Sequence, residues 1–240
     1  MNKSGKRIVK SFDSAASRYD AAATLQKQVA AELVSFVSDA TPQTILDIGC
    51  GTGLATVCVN EAWPEARLTA LDAAPSMVAA TRRKLPEVQI LVGDAAQVPF
   101  LPGTFDLVLS SMIGHWLSDP VQAVEAWKEI CAPRGRMAVS LPVEGSLAEW
   151  KELCREAGVI DRLWPFPKAS LFSGTGLCSE VRSYPRTYES AKAFLKSMKD
   201  TGADNGNPDK PPMRPADLRR VLRCSPKPFT ATYQILYLHL

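Results

Sequence analysis

Gly49, Gly51 and Gly53 stand at alternate positions in the stretch LDIGCGTG, directly after a short aliphatic run. Glycine takes up the backbone angles of a sharp turn without strain and lets a ligand approach bare backbone. A helix opening at Leu54 would turn its free amides toward that ligand. Farther on, LTALD ends in Asp72, about twenty residues beyond the glycines, where a carboxylate can accept both hydroxyls of an unphosphorylated ribose. Residue types and spacing together describe a nucleoside-binding turn.

Such residues need a sheet to hold them. TILDIG, ARLTALD, VQILVGD, FDLVLSS and GRMAVSLP read as strands, with helices over 54–62, from Pro75 to Leu85 and from about Pro120 to Cys131. Pro75 suits a first helical turn. The alternation predicts an α/β protein with a doubly wound parallel sheet covered on both faces. After Pro142 the alternation stops. GSLAEWKELCREAG reads as a helix, and VIDRLWPFPKASLFSGTGLCSE, rich in Pro, Gly and aromatics without a period, as an insertion or lid. VRSYPRTY then reads as a strand, SAKAFLKSMKDTG as a helix, ADNGNPDKPPMRP as an exposed polar connection, and a short helix to Cys224 precedes a last strand, FTATYQILYLHL.

Ahead of the sheet lies SFDSAASRYDAAATLQKQVA, Ser11 to Ala30. Phe12, Ala15, Ala16, Tyr19 and Ala23 recur at three- and four-residue steps and predict one amphipathic helix, with Asp13, Arg18 and Asp20 pointing outward. A stripe made mostly of alanine buries little area. The helix is therefore expected to be mobile, with Tyr19 free to meet a ligand.

The 240 residues, 46% of them hydrophobic, suffice for one large α/β domain or a core domain with an inserted subdomain. The start MNKSGKRIVK has no apolar run, and no segment approaches the ~20 apolar residues of a membrane span. A cytoplasmic protein without a membrane segment is expected. The six cysteines stand singly with no C-x-x-C pair, and there are only two histidines. No metal site is expected, and the cysteines read as reduced thiols. Residues 150–240 carry 15 Lys and Arg against 9 Asp and Glu, so the C-terminal part is the basic one.

The glycine spacing separates two nucleotide readings. A dinucleotide fingerprint wants a third glycine where Leu54 stands, which disfavours a dehydrogenase. The G-x-G-x-G form resembles the glycine loop of class I S-adenosylmethionine-dependent methyltransferases, and Asp94 in VGDAAQVPF resembles their acidic adenine contact, with a helix N-cap as its other reading. The fourth strand ends in Ser110, Ser111 and Met112, where methylation of a nucleic-acid base amine would call for a D/N-P-P-Y type motif. Nucleic acid is therefore not an expected partner. His115 and Trp116 follow at the strand's carboxyl end, the edge where open α/β sheets bind ligands; packing is the other reading of His115.

With these elements in order, the first helix gains a meaning. Phe12, Ala15, Ala16 and Tyr19, followed by Leu25, Gln26 and Gln28, resemble the F-x-x-A-A-x-x-Y and L-Q-x-Q pattern of the malonyl-acyl carrier protein O-methyltransferases of biotin synthesis. PVEGSLAEW, DRLWP, SMKDTGA and TYQIL extend the likeness over nearly the full length. One departure is APRGR, which replaces the family's P-G-G turn.

The resemblance implies a Rossmann-like, mostly parallel seven-stranded sheet, with a helical cap at 1–38, a cofactor core at 39–142, a lid at 143–182 and completion of the sheet by 183–240. It implies S-adenosylmethionine as cofactor, S-adenosylhomocysteine as product, and cofactor contacts from Tyr19, Asp47, Gly49, Gly51, Gly53, Asp72, Asp94, Ala95 and Ser110. Tyr19, His115 and Arg162 become the catalytic candidates, with Arg162 as partner of the acceptor carboxylate. The implied acceptor is a malonyl group on acyl carrier protein, with Arg155, Lys168, Arg182 and Arg186 as a docking face on a monomeric enzyme. Two other readings remain: a methyltransferase for another small acid or a phenolic ring, and a non-catalytic cofactor-binding module.

Overall fold

The computed structural model describes residues 3–240. β1 (Thr44–Ile48), β2 (Arg67–Asp72), β3 (Gln89–Val92), β4 (Phe105–Ser111), β5 (Cys131–Pro142), β6 (Cys178–Tyr188) and β7 (Phe229–His239) form one sheet in the order β3-β2-β1-β4-β5-β7-β6. β7 runs antiparallel to both neighbours, and the other pairings are parallel. The strand order reverses between β1 and β4. That switch point opens the crevice at the carboxyl ends of the strands.

Side chains alternate across the sheet as the two-residue period of a strand requires. On one face Leu46, Ile48 and Val108 pack with Val124 and Trp127 of α5 (Pro120–Ile130). On the other, Ile45, Leu107 and Leu109 meet Leu25, Val29 and Leu33 of α2 (Thr24–Ser35). α3 (Leu54–Ala62) and α4 (Pro75–Lys84) follow β1 and β2, while α6 (Ala148–Glu156), α7 (Ala191–Asp200) and α8 (Pro215–Cys224) build a satellite cluster around Trp150, Phe194 and Val221.

The N-terminal stretch is two helices rather than one. α1 (Lys3–Ala22) and α2 part at Ala23, whose ψ of 45° leaves the helical range. No Gly or Pro marks the break. Surrounding contacts set it: Lys27 donates to the Asp20 carbonyl at 2.8 Å across the bend, and Ala23 is fully buried. The two helices are held by different forces. α2 buries Leu25, Val29 and Leu33, worth roughly 1.5–3 kcal/mol each, whereas among the described residues of α1 the buried side chains are Ile8 and Ala15.

Polar clips hold α1 instead, and the residues expected to face solvent make them. Asp13 accepts from the Ser76 amide at 2.7 Å, Asp20 pairs with Lys84 at 2.6 Å, and Arg18 pairs with Asp200 at 3.4 Å. α1 thus bridges the β1–α4 region and α7. β6 begins at Cys178, three residues before the expected strand, because β7 pairs with it along its whole length. No helix among the described residues is long and apolar enough to cross a membrane, and none of their His, Cys, Asp and Glu groups could hold a metal ion.

Candidate functional site

Side-chain contacts and backbone hydrogen bonds hold the turn after β1. Gly49 has φ of +74°, and a Cβ there would lie 2.6 Å from Cγ1 of Ile113, so β4's extension closes directly over it. At Gly51, φ is +55° and nothing lies within 4 Å of the Cβ direction; its backbone faces open space. The amides of Gly49 and Cys50 donate to the Leu71 carbonyl at 2.8 and 3.0 Å, and Thr81 donates to the Gly51 carbonyl at 2.8 Å. Gly53 packs against Thr81 and opens α3 from behind the turn.

The turn forms one wall of a cleft of about 1040 Å³ that also takes in Tyr19, Asp72, Asp94 and Ala95. Asp72 accepts from the Gly51 amide at 2.9 Å with one oxygen and from the Ala74 amide at 2.8 Å with the other. Each carboxylate oxygen has a second acceptor site, so both remain able to take a hydroxyl. Burial raises the Asp72 pKa, against these backbone hydrogen bonds. Asp94 accepts from the Ala96 amide at 3.0 Å, and the Ala95 carbonyl takes the indole N–H of Trp127 at 2.8 Å.

Three expected cofactor contacts sit off this surface: Gly53, behind the turn, and Ser110 and Asp47. Ser110 is fully buried and donates to the Ile48 carbonyl at 2.9 Å, stitching β4 to β1; its neighbour Ser111 lines the cleft. Strand alternation puts successive residues on opposite faces. Asp47, also fully buried, lies beneath the turn: one oxygen accepts from Thr56 at 2.6 Å, and the other has no partner among the described residues. Burial raises its pKa to about 6. An unpartnered buried carboxylate oxygen below open glycine backbone fits a ligand that brings a cation or a bridging water.

A second cleft of about 610 Å³ adjoins the first, and Phe12, Tyr19, Gln26, Met112 and Trp116 line both. Tyr19 therefore stands at their junction. Burial first, and then the charges of Asp72 and Asp20, push its phenol above the usual range, so it stays neutral and able to donate. His115 lines the second cleft from the turn after β4. Its ring lies 4.5 Å from Trp116 and 5.8 Å from Phe166, and Nδ1 has no partner among the described residues. Burial lowers its pKa from 6.5 to about 3, and the imidazole is neutral at physiological pH.

That burial has a consequence for stability. The folded pKa lies below the unfolded one, so the contribution is complete above pH 6.5 and is lost as pH falls from 6.5 toward 3. Between pH 7 and pH 4 the wild type is expected to lose roughly 3 kcal/mol more unfolding free energy than His115→Asn. Denaturant midpoints at the two pH values measure the difference.

Arg162 departs from expectation. It lines neither cleft. Its guanidinium donates to the Asn207 carbonyl at 3.1 Å, while its own carbonyl accepts from the Asn207 amide at 2.8 Å. Lys210 pairs with neighbouring Asp161 at 2.9 Å, and Arg7 of α1 donates to the Gly206 carbonyl at 2.5 Å. Arg162 clasps the 203–210 connection to its own segment, and among the described residues no Lys or Arg lines either cleft. The residues that sequence reasoning passed over are Gln26, Trp164 and Tyr233, all lining the second cleft. Gln26 had one signal, its place in the L-Q-x-Q stretch after the first helix.

Residues 46–139 match a family model described as a methyltransferase domain. A malonyl-[acyl-carrier protein] O-methyltransferase of Hahella chejuensis is 33% identical over 214 residues, covering 85% of this chain and 76% of that protein. The biotin biosynthesis bifunctional protein BioHC of Cellvibrio japonicus is 29% identical over 251 residues, 98% of this chain and 50% of that protein. Among solved structures, the YcgJ protein of Bacillus subtilis superposes with a TM-score of 0.62 over 88% of this chain and 96% of that one at 15% identity, a likeness of fold. With its methyltransferase domain and a 33% identical relative matched over 85% of its length, this chain is an S-adenosylmethionine-dependent methyltransferase and belongs to the malonyl-[acyl-carrier protein] O-methyltransferase family.

Proposed function

We propose that the enzyme esterifies the free carboxylate of a malonyl thioester carried on acyl carrier protein, as a step of biotin synthesis. The observation that carries this reading is the pair of clefts meeting at Tyr19, the second lined by neutral donors and, among the described residues, by no cation. S-adenosylmethionine supplies an electrophilic methyl group on a positively charged sulfur. In the first cleft Asp72 would take the ribose hydroxyls, Asp94 and Ala95 would border the adenine, Gly49 and Gly51 would pass close to the methionine chain, and buried Asp47 would answer its amino group from below the turn.

The chain's own task is to align and to dry. A malonyl carboxylate, with a pKa of roughly 4, is already ionised at neutral pH, so no general base is needed. In-line displacement then depends on holding the nucleophilic oxygen in a near-attack geometry. Tyr19 and His115 donate to the carboxylate, and Gln26 stands beside them at the junction.

The lack of a lining cation among the described residues is part of the mechanism. Transfer to a carboxylate destroys charge, because an anion and a cationic donor give two neutral products. A fixed Arg beside the acceptor would stabilise the ground-state anion more than the transition state, in which that charge is fading. An apolar enclosure with a few neutral donors does the reverse. Arg162→Ala is accordingly expected to lower kcat less than about threefold, while loss of its clasp costs about 1 kcal/mol of stability. Steady-state kinetics and a denaturation midpoint separate the two effects.

The reading is tested by the lability of the product. Label moved from S-adenosylmethionine to the malonyl-loaded carrier should leave as methanol in mild base, as an ester does. Label that resists base would mean methylation at nitrogen or carbon and would exclude carboxyl esterification.

A further inference from the structure

The basic C-terminal part resolves into two kinds of cation. Three of the four residues expected to form a docking face are engaged within the fold: Arg155 pairs with Glu152, Arg182 with Glu180 and Glu32, and Arg186 donates to Gln28. Arg182 and Arg186 thereby tie β6 to α2. α8 is different. Its one acidic residue, Asp217, is shared by Arg214 and Arg220 at 2.7 Å each. Arg219 and Arg223 are exposed, and neither has a partner among the described residues. They stand four apart on one face of α8, where like charges disfavour the helix. Exposed Lys227 follows just past the helix end.

The inner face of α8 is equally informative. Val221, Leu218 and Leu222 pack into the cluster that contains Leu147, Leu163, Phe166, Met198 and Tyr233, and these five all line the second cleft. Ala203 lines that cleft too, and the chain runs from it through the clasped 203–210 connection directly into α8. The outer face of α8 is thus the solvent side of the wall around the acceptor cleft.

Resting on the acceptor reading above, we propose that Arg219, Arg223 and Lys227 form the docking surface for the carrier protein, which presents carboxylates around the attachment point of its prosthetic arm. A partner seated there has its thioester arm separated from the cleft by one hydrophobic cluster. α8 carries no aromatic residue on which bases could stack, which favours an acidic protein over single-stranded nucleic acid. Charge complementarity of this kind sets encounter rate and salt sensitivity.

The test compares wild type, the double variant Arg219→Glu/Arg223→Glu and the charge-preserving Arg219→Lys/Arg223→Lys. Readouts are the affinity for holo carrier protein, kcat/KM with malonyl-loaded carrier protein, and the affinity for S-adenosylmethionine. Charge reversal should weaken carrier binding and kcat/KM by about tenfold or more at low salt, leave cofactor affinity unchanged, and spare the lysine variant. Unchanged carrier binding after reversal would overturn the surface, as would a parallel loss of cofactor binding, equal loss in the lysine variant, or capture of an oligonucleotide in place of the carrier. A wild type that methylates the malonyl carrier alongside an unaffected reversal variant sinks the surface alone. A wild type that neither binds nor methylates that carrier sinks the acceptor reading and the surface together.

Discussion

Asp72→Asn is expected to weaken S-adenosylmethionine binding by two to three orders of magnitude. Hydrogen bonds to a charged acceptor contribute about 1.5–3 kcal/mol each, and on the proposed reading both ribose hydroxyls donate to this one carboxylate. Asn is the informative replacement because the Asp72 oxygens also accept from the Gly51 and Ala74 amides. With only one acceptor oxygen it must surrender one of those partners, whereas Ala would also empty the space beneath the turn. Calorimetric titration with S-adenosylmethionine reads the loss directly, and an unchanged thermal midpoint would show that the turn survives. A change below threefold would mean that the ribose is held elsewhere.

Tyr19→Phe makes the opposite separation. It is expected to lower kcat with a malonyl acceptor by about 10- to 100-fold, the effect of losing one hydrogen bond to a charged group, while leaving cofactor affinity within about threefold. The ring is retained, so its packing between Phe12, Gln26 and the two clefts is preserved, and only the hydroxyl is lost. If Tyr19 served merely to pin α1, Phe would be silent. Because burial and the neighbouring carboxylates keep the phenol protonated well beyond its ordinary range, the pH profile of the wild type should show no break from Tyr19 near pH 10.

How much of this was legible beforehand follows the strength of local signals. The turn after β1 needs left-handed backbone, and glycine at alternate positions announces it. Asp72 closes a strand with a clear period and Asp94 follows one, so their place at the sheet's carboxyl edge could be read directly. Ser110 could not be told from Ser111 in this way: the run FDLVLSS is apolar on both faces, and only the register against β1 and β5 decides which hydroxyl is buried.

The break at Ala23 carries no Pro or Gly and is imposed by tertiary contacts. The same contacts turn Asp13 and Asp20 from expected solvent residues into clips on α4 and the glycine turn, where Thr52 donates to Asp20 at 2.5 Å. Arg162 was misplaced because the segment around it has no period. Its side-chain direction depends on a partner 45 residues away in sequence, which no local pattern encodes. The segment around Arg162 and the 203–210 connection are therefore parts that only the folded chain reveals, and Leu163, Trp164, Phe166 and Ala203 from them line the second cleft.

The most direct test of the central claim is to incubate the purified enzyme with radiolabelled S-adenosylmethionine and, in parallel, malonyl- and acetyl-loaded acyl carrier protein. The two acceptors share carrier, arm and thioester and differ in the free carboxylate. Base-labile label on the malonyl form and none on the acetyl form is the predicted result. Label on both, or none on either while S-adenosylmethionine still binds, would contradict a carboxylate acceptor and leave the second cleft to a different substrate.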